Sequence, residues 1–242
     1  MSTSDLLAGG PNALQDAAKN HLWMYFTRHG NFATQDVPMI VRGEGCYVYD
    51  DKGRKILDGL AGLFTVQIGH GRTELGDAAK EQSDKLAFFP LWSYAHPMAA
   101  ALAERLAKLA PGDLNKVFFT SGGGESTDST IKTARYYWKA MGKPGKVKTI
   151  SQMGGYHGTT LAAMCATGLP AYWPAFEPRM PGFVHIPNHD TYRYAVPPGG
   201  DPATAAADEL ERAILAEGPE SVALFIAEPV MGGGAHVPPP GY

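Results

Sequence analysis

Three consecutive glycines, Gly122, Gly123 and Gly124, separate the apolar run Lys116-Val117-Phe118-Phe119-Thr120-Ser121 from Glu125-Ser126-Thr127-Asp128. Glycine lets a backbone approach a ligand with no Cβ in the way, and the first amides of a following helix have no intrahelical acceptor. A phosphate set there meets free N–H donors and the positive end of the helix dipole, worth roughly 1–2 kcal/mol in a sheltered geometry. A glycine-rich turn without a ligand is the alternative. The lysine-bearing P-loop fits poorly, because Glu125-Ser126-Thr127 stand where Gly-Lys-Ser or Gly-Lys-Thr would be needed. The dinucleotide fingerprint lacks its third glycine, Thr127 occupying that place.

Two further stretches carry chemistry. Gly154-Gly155-Tyr156-His157-Gly158-Thr159-Thr160 sets an aromatic ring on a glycine-flanked turn, where it can lie flat against a planar ligand with a histidine beside it. A loop aromatic and a structural histidine are the plainer reading. Val222-Ala223-Leu224-Phe225-Ile226-Ala227-Glu228-Pro229-Val230 is an apolar run ending in a carboxylate. Continuous apolar runs suit parallel strands buried on both faces, and ligands of open α/β sheets sit beyond the carboxyl ends of such strands. Glu228 belongs there, either as a ligand group or as a solvated charge.

The elements that must hold these residues follow from pattern. Lys116–Ser121 reads as a strand, and Ile131, Ala134, Trp138 and Met141 share one face of the helix after the glycines. Val147–Ile150 reads as another strand and Leu161–Thr167 as a small-residue helix. Alternation of strands and helices from Lys116 onward predicts a mostly parallel α/β sheet. Upstream, an N-terminal arm leads into an amphipathic helix with Leu14, Ala17, His21, Leu22 and Tyr25 on its face. Cys46–Tyr49 and Lys55–Leu57 form a hairpin around Asp50-Asp51-Lys52-Gly53. Helices are expected over about 74–86, with Thr73 as N-cap, and over 96–109, with Leu102, Leu106 and Leu109 on one side and Pro111-Gly112 closing it. Residues 181–202 read as irregular with Pro198-Gly199-Gly200 exposed, before a helix over 203–216. The expected boundary lies near residue 80, with an arm and small α+β subdomain segment over 1–80 and part of a larger domain over 81–242.

The 242 residues carry a net charge of −3, with 44% hydrophobic and 19% charged side chains. These are ordinary globular values and give no reason to expect nucleic acid or an anionic membrane as partner. No apolar run approaches the ~20 residues of a membrane span, and the polar start Met1-Ser2-Thr3-Ser4-Asp5 is no signal peptide. Cys46 and Cys165 have no partner at metal-ligand spacing and make no disulfide framework. His185 and His189 stand four apart, but Pro187 between them argues against a shared helix face, so no metal is expected.

Taken in order, Ser121-Gly122-Gly123-Gly124-Glu125 with Asp128 and Lys132, then Gly155-Tyr156-His157-Gly158, then Ala227-Glu228-Pro229-Val230 with Val237-Pro238-Pro239-Pro240-Gly241-Tyr242 resemble the class III aminotransferases. His21-Leu22-Trp23-Met24-Tyr25-Phe26-Thr27 and Asp58-Gly59-Leu60-Ala61-Gly62-Leu63-Phe64 are similar to that family's N-terminal segments. The resemblance runs from about His21 to Tyr242. It implies a pyridoxal 5'-phosphate enzyme of the aspartate aminotransferase fold (fold type I), a mostly parallel sheet flanked by helices with a small α+β N-terminal subdomain.

Carried over residue by residue, the resemblance puts the cofactor phosphate on the backbone of Gly123 and Gly124, the latter where relatives commonly have serine. It stacks Tyr156 on the pyridine ring, supports that turn with His157 and brings Glu228 near the ring. Phe64, Leu91 and Trp92 match segments that wall the substrate pocket. The family's catalytic lysine and ring-nitrogen aspartate lie beyond the Pro-Pro-Gly-Tyr segment, and none of the twelve lysines here has a matching context. The sequence therefore reads as the N-terminal part of a longer protein, inactive alone, with no catalytic residue assigned. The implied reaction moves an amino group from an ω-amino acid or simple amine to pyruvate or another 2-oxo acid, in a cytoplasmic homodimer or higher homo-oligomer. Alternatives are another reaction of the same fold (aminomutase, racemase or decarboxylase) and a non-catalytic truncated module.

Overall fold

The computed structural model describes residues 10–190, 192–193, 196 and 199–242. The polar start Met1–Asp5 and Pro198 lie outside these, while Gly199 and Gly200 are exposed as expected. The described chain forms two compact units, residues 1–100 and 101–242, considered separately below.

In the first unit, helix α1 (Gly10–His21) turns Ala18 inward, not the expected Leu14, Ala17, His21, Leu22 and Tyr25 stripe. Gln15 explains the rotation. Its amide donates to Val37 O (2.8 Å) and its carbonyl accepts from Val37 N (2.9 Å), so a polar anchor fixes which side faces in. The hairpin forms as the turn residues require, β2 (Tyr47–Asp50) against β3 (Lys55–Leu57). Asp50 closes it by accepting from the Lys52 and Arg54 amides at 3.1 and 2.8 Å. A third antiparallel strand, β1 (Ile40–Glu44), extends this sheet. Its single alternation step is too short to stand out in the sequence.

Helix α2 (Thr73–Lys85) starts one residue earlier than expected, with Arg72 at the N-cap and Thr73 inside. Helix α3 (Pro97–Leu109) runs into the second unit. Leu102, Leu106 and Leu109 are all exposed, and Ala99, Ala103 and Ala107 form the half-buried stripe.

The second unit contains the parallel sheet that the alternation predicts, in the order β5 (Phe183–Ile186), β4 (Lys148–Gln152), β6 (Val222–Ile226). Strand β5 lies inside the stretch expected to be irregular. The central strand β4 buries Thr149, Ile150, Ser151 and Gln152. Ile150 packs with Ile186 and Val222, and Leu210, Ala213 and Ile214 of helix α6 (Pro202–Glu217) cover that cluster. The buried Ile150, Ile186 and Val222 side chains each contribute roughly 1.5–3 kcal/mol by leaving water. Asp201 caps α6, its carboxylate accepting from Thr204 N at 2.9 Å.

Helix α4 (Gly123–Ala140) buries Ile131 and fastens Trp138 by an indole bond from Nε1 to Ala223 O (2.8 Å), while Met141 of the expected face is exposed. The short helix α5 (Leu161–Ala166) buries Ala162, Ala163, Cys165 and Ala166. Two expectations fail here. Lys116–Ser121 forms no strand and pairs with none among the described residues, leaving Phe118 exposed. Strand β6 lies at the edge of the described sheet, so only Val222 in it is fully buried.

Candidate functional site

Helix α4 begins where the glycines predict. Gly122 is extended at the N-cap, and Ser126 N supplies the first helical bond, to Gly122 O at 3.0 Å. Glu125 folds back across the helix start, its Oε2 accepting from the amide (2.8 Å) and hydroxyl (2.5 Å) of Ser121. Those Ser121 bonds hold the Glu125 carboxyl below its ordinary range. Among the described residues the Gly123 and Gly124 amides have no acceptor. A Cβ added to Gly123 would meet nothing within 4 Å, so the space in front of this helix end is open.

The Tyr156 turn is pinned against that helix end. Thr127 Oγ1 donates to His157 O (2.8 Å), and Thr160 Oγ1 lies 3.1 Å from Gly124 O and 2.8 Å from Asp128 Oδ1. The same Asp128 oxygen accepts from Ala163 N (2.8 Å), so a side chain of α4 caps α5. Gly158 passes so close that a Cβ there would stand 2.8 Å from Gly124 Cα. With φ of +130° Gly158 also holds a conformation that other residues avoid.

Glu228 follows β6 and closes the constellation from the sheet side. Its Oε1 accepts from Tyr156 N and its Oε2 from Gly232 N, both at 2.8 Å. The carboxylate therefore ties two loops through their backbones. Tyr156 keeps an exposed ring, 47% accessible. His157 donates its own amide to Thr167 Oγ1 (2.9 Å), and its buried Nε2 has no hydrogen-bond partner among the described residues. Burial holds the His157 imidazole below its ordinary value, with the Glu228 charge opposing, so it stands neutral at neutral pH.

The structure thus brings Gly123, Gly124, Tyr156, His157 and Glu228 together in one unit. The arrangement offers a dianion two free amides and a helix dipole, and offers a planar ring an exposed aromatic face. That donor set suits a phosphorylated planar group such as pyridoxal 5'-phosphate. Thr127, Asp128, Thr160 and Gly158 were given no separate role from sequence, yet they are the joints of the cradle. The Thr159-Thr160 pair just before a small-residue helix was the available signal, since Thr is a favoured N-cap.

Phe64, Leu91 and Trp92 belong to the first unit, and all three are exposed. Phe64 ends a tight turn (61–64), whereas Leu91 and Trp92 lie in irregular chain before α3. His185 and His189 do not share a helix. His185 is in β5, and the buried His189 contacts Gln152 and His236 O at 3.4 and 3.2 Å.

A family model for class III aminotransferases matches residues 31–242. The "Probable aminotransferase Rv3329" of Mycobacterium tuberculosis is 49% identical over 232 residues, covering 95% of this chain and 49% of that protein. The putrescine–pyruvate aminotransferase of Pseudomonas aeruginosa is 39% identical over 232 residues, covering 93% and 50%. The crystal structure of the omega transaminase from Pseudomonas jessenii in complex with PMP superposes with a TM-score of 0.89 at 40% identity, covering 95% and 51%. The chain spans about half the length of the curated relatives it matches.

Proposed function

The chain belongs to the class III aminotransferases, a pyridoxal-phosphate-dependent family of fold type I, and from that premise we propose that the whole protein transfers an amino group from an ω-amino acid or simple amine to pyruvate or another 2-oxo acid. The observation that carries this reading is the meeting of the unpaired Gly123 and Gly124 amides with the Tyr156 turn and the Glu228 carboxylate. When bound, pyridoxal phosphate supplies an electron sink for charge at the substrate carbon.

The residues of this chain bind and orient. The Gly123 and Gly124 amides hold the phosphate, and the Tyr156 ring supports one face of the pyridine. His157, neutral and wedged under its own turn, keeps that ring in place. Glu228 fixes the same turn from the sheet through Tyr156 N. Phe64, Leu91 and Trp92 line the donor pocket. No lysine of this chain is assigned the proton transfer. The same reading includes the division into 1–80 and 81–242, a homodimeric or larger assembly and a cytoplasmic location. Among the described residues no helix is long and apolar enough to cross a membrane.

Protein expressed from the whole reading frame should convert pyruvate to alanine with an ω-amino acid or diamine as donor. Gly123→Val or Gly124→Val should weaken cofactor retention by roughly tenfold or more, because a branched Cβ blocks close approach. Retention unchanged in both variants refutes the phosphate assignment. Racemisation or decarboxylation without amino transfer to any 2-oxo acid would favour another reaction of this fold.

A further inference from the structure

Residues 61–64 wind one turn of left-handed backbone. Their φ values are 49° at Ala61, 58° at Gly62, 62° at Leu63 and 62° at Phe64. Only one of the four is glycine, and L-residues with a Cβ avoid this region. The turn also gains little by burial, since Leu60, Leu63 and Phe64 are all exposed. Backbone held in a costly conformation to present apolar side chains outward is the signature of a functional device, provided something holds it there.

Beyond its own backbone bonds (Phe64 N to Leu60 O and Thr65 N to Ala61 O, both 2.9 Å), what holds it is Asp58. Its Oδ1 and Oδ2 accept from the Gly62 amide at 3.0 and 2.8 Å, and its Oδ2 stands 2.8 Å from His70 Nε2. An ionised carboxylate only accepts, so His70 Nε2 carries the proton. Both side chains are largely buried, at 14% and 22% accessibility. His70 is fixed in turn by paired backbone bonds with Gly45 (3.1 and 2.8 Å) and by Gly43, where a Cβ would stand 2.6 Å from the His70 ring. Strand β1 with the Gly45 that follows it, the histidine, the carboxylate and the turn form one chain of contacts ending at Phe64.

We propose that Asp58 and His70 are positioning residues for donor specificity, clamping the left-handed turn so that Phe64 is presented as a fixed wall of the amine pocket. The proposal rests on the reading of Phe64 as a pocket residue. Neither side chain touches the reacting atoms; both act through the Gly62 amide.

The test uses protein expressed from the whole reading frame, with amide hydrogen exchange over residues 61–66 and kinetics on a small and a bulky amine. His70→Phe keeps a ring beside Gly43 but removes the donor, and His70→Gln keeps a donor. A hydrogen bond to a charged group supports exchange about tenfold or more faster in His70→Phe. The same variant should shift the bulky-to-small kcat/KM ratio in the direction of Phe64→Ala, mostly through KM, while His70→Gln stays near wild type. Asp58→Asn, which turns an amide toward His70, is the second variant should His70→Phe not fold. Wild-type exchange and donor ranking in the clamp variants, alongside a shifted ranking in Phe64→Ala, overturn the clamp. An unshifted ranking in Phe64→Ala overturns the pocket reading instead, and the exchange rates still decide whether the clamp exists.

Discussion

Replacing Gly158 with alanine is the sharpest single test of the cradle. The new Cβ would stand 2.8 Å from Gly124 Cα, 3.0 Å from Ala163 Cβ and 3.4 Å from Gly124 N. None of these neighbours is the end of a flexible side chain; two are helix backbone and one is a methyl on buried α5. Relief requires the Tyr156 turn to lift off the start of α4. Thr127 Oγ1→His157 O (2.8 Å) and Asp128 Oδ1 with Ala163 N (2.8 Å) resist that movement. Overpacking of this kind costs about 1–3 kcal/mol, and an alanine held at positive φ adds about 1–2 kcal/mol. The expected loss is therefore about 2–5 kcal/mol in denaturant unfolding, with weakened cofactor retention because the Tyr156 ring moves away from the Gly123 and Gly124 amides.

Gly123→Ala is the matched control. Its Cβ meets nothing within 4 Å, and Gly123 is not at positive φ. Alanine in a first helical turn should leave the fold unchanged or slightly firmer, yet its methyl enters the space where phosphate is proposed to sit. One variant should lose stability and binding together, the other binding alone. A Gly158→Ala protein within about 0.5 kcal/mol of wild type would refute the close approach of the two backbones, and with it the account of how the turn is registered.

Three other outcomes follow from the same geometry. Tyr156→Phe should keep most of the cofactor affinity, whereas Tyr156→Ala should lose roughly 1–3 kcal/mol in a cofactor titration; equal losses would point to the hydroxyl. Burial holds both the His157 and His185 imidazoles below their ordinary value, Glu228 opposing at the first and Arg179 adding at the second. The unfolded chain therefore protonates first as pH falls, so their contribution is complete above about pH 6.5 and is lost as pH drops toward the depressed folded values. His157→Gln with His185→Gln should flatten the urea midpoint across that window, and an unchanged slope would count against it. Residues 1–242 expressed alone should show no transaminase turnover and no specific lysine adduct after borohydride reduction with cofactor, and should aggregate through their open sheet edges. A single stoichiometrically labelled lysine with turnover would overturn this.

The site was legible where backbone chemistry forces residue type. Three glycines before a helix, a glycine-flanked Tyr-His pair and a carboxylate ending an apolar strand can each be read locally. What joins them could not be, because Asp128 capping Ala163 and Thr127 reaching His157 O link residues some 30 apart. Periodicity also misjudged which side of a helix faces in. On α3 the half-buried side is Ala99, Ala103 and Ala107 while the leucines stay outside; on α1 the Gln15 anchor outweighs the apolar stripe. Lys116–Ser121 has strand composition but no neighbour to pair with among the described residues, and β propensity alone makes no ladder.

The bond from Tyr156 N to Glu228 spans 72 residues of sequence, and β4 pairs with β6 across a similar distance. A ribosome adding about 5–20 residues per second exposes the Tyr156 turn roughly 4–14 s before Glu228 exists to hold it. During that interval the helix start and the aromatic turn can dock through Thr127 and Thr160, but the sheet side of the cradle is missing. The Tyr156 turn and the Glu228 carboxylate therefore meet only late in the synthesis of this stretch of chain. Slower translation downstream of β5 would lengthen the time for which the central strand waits with one neighbour.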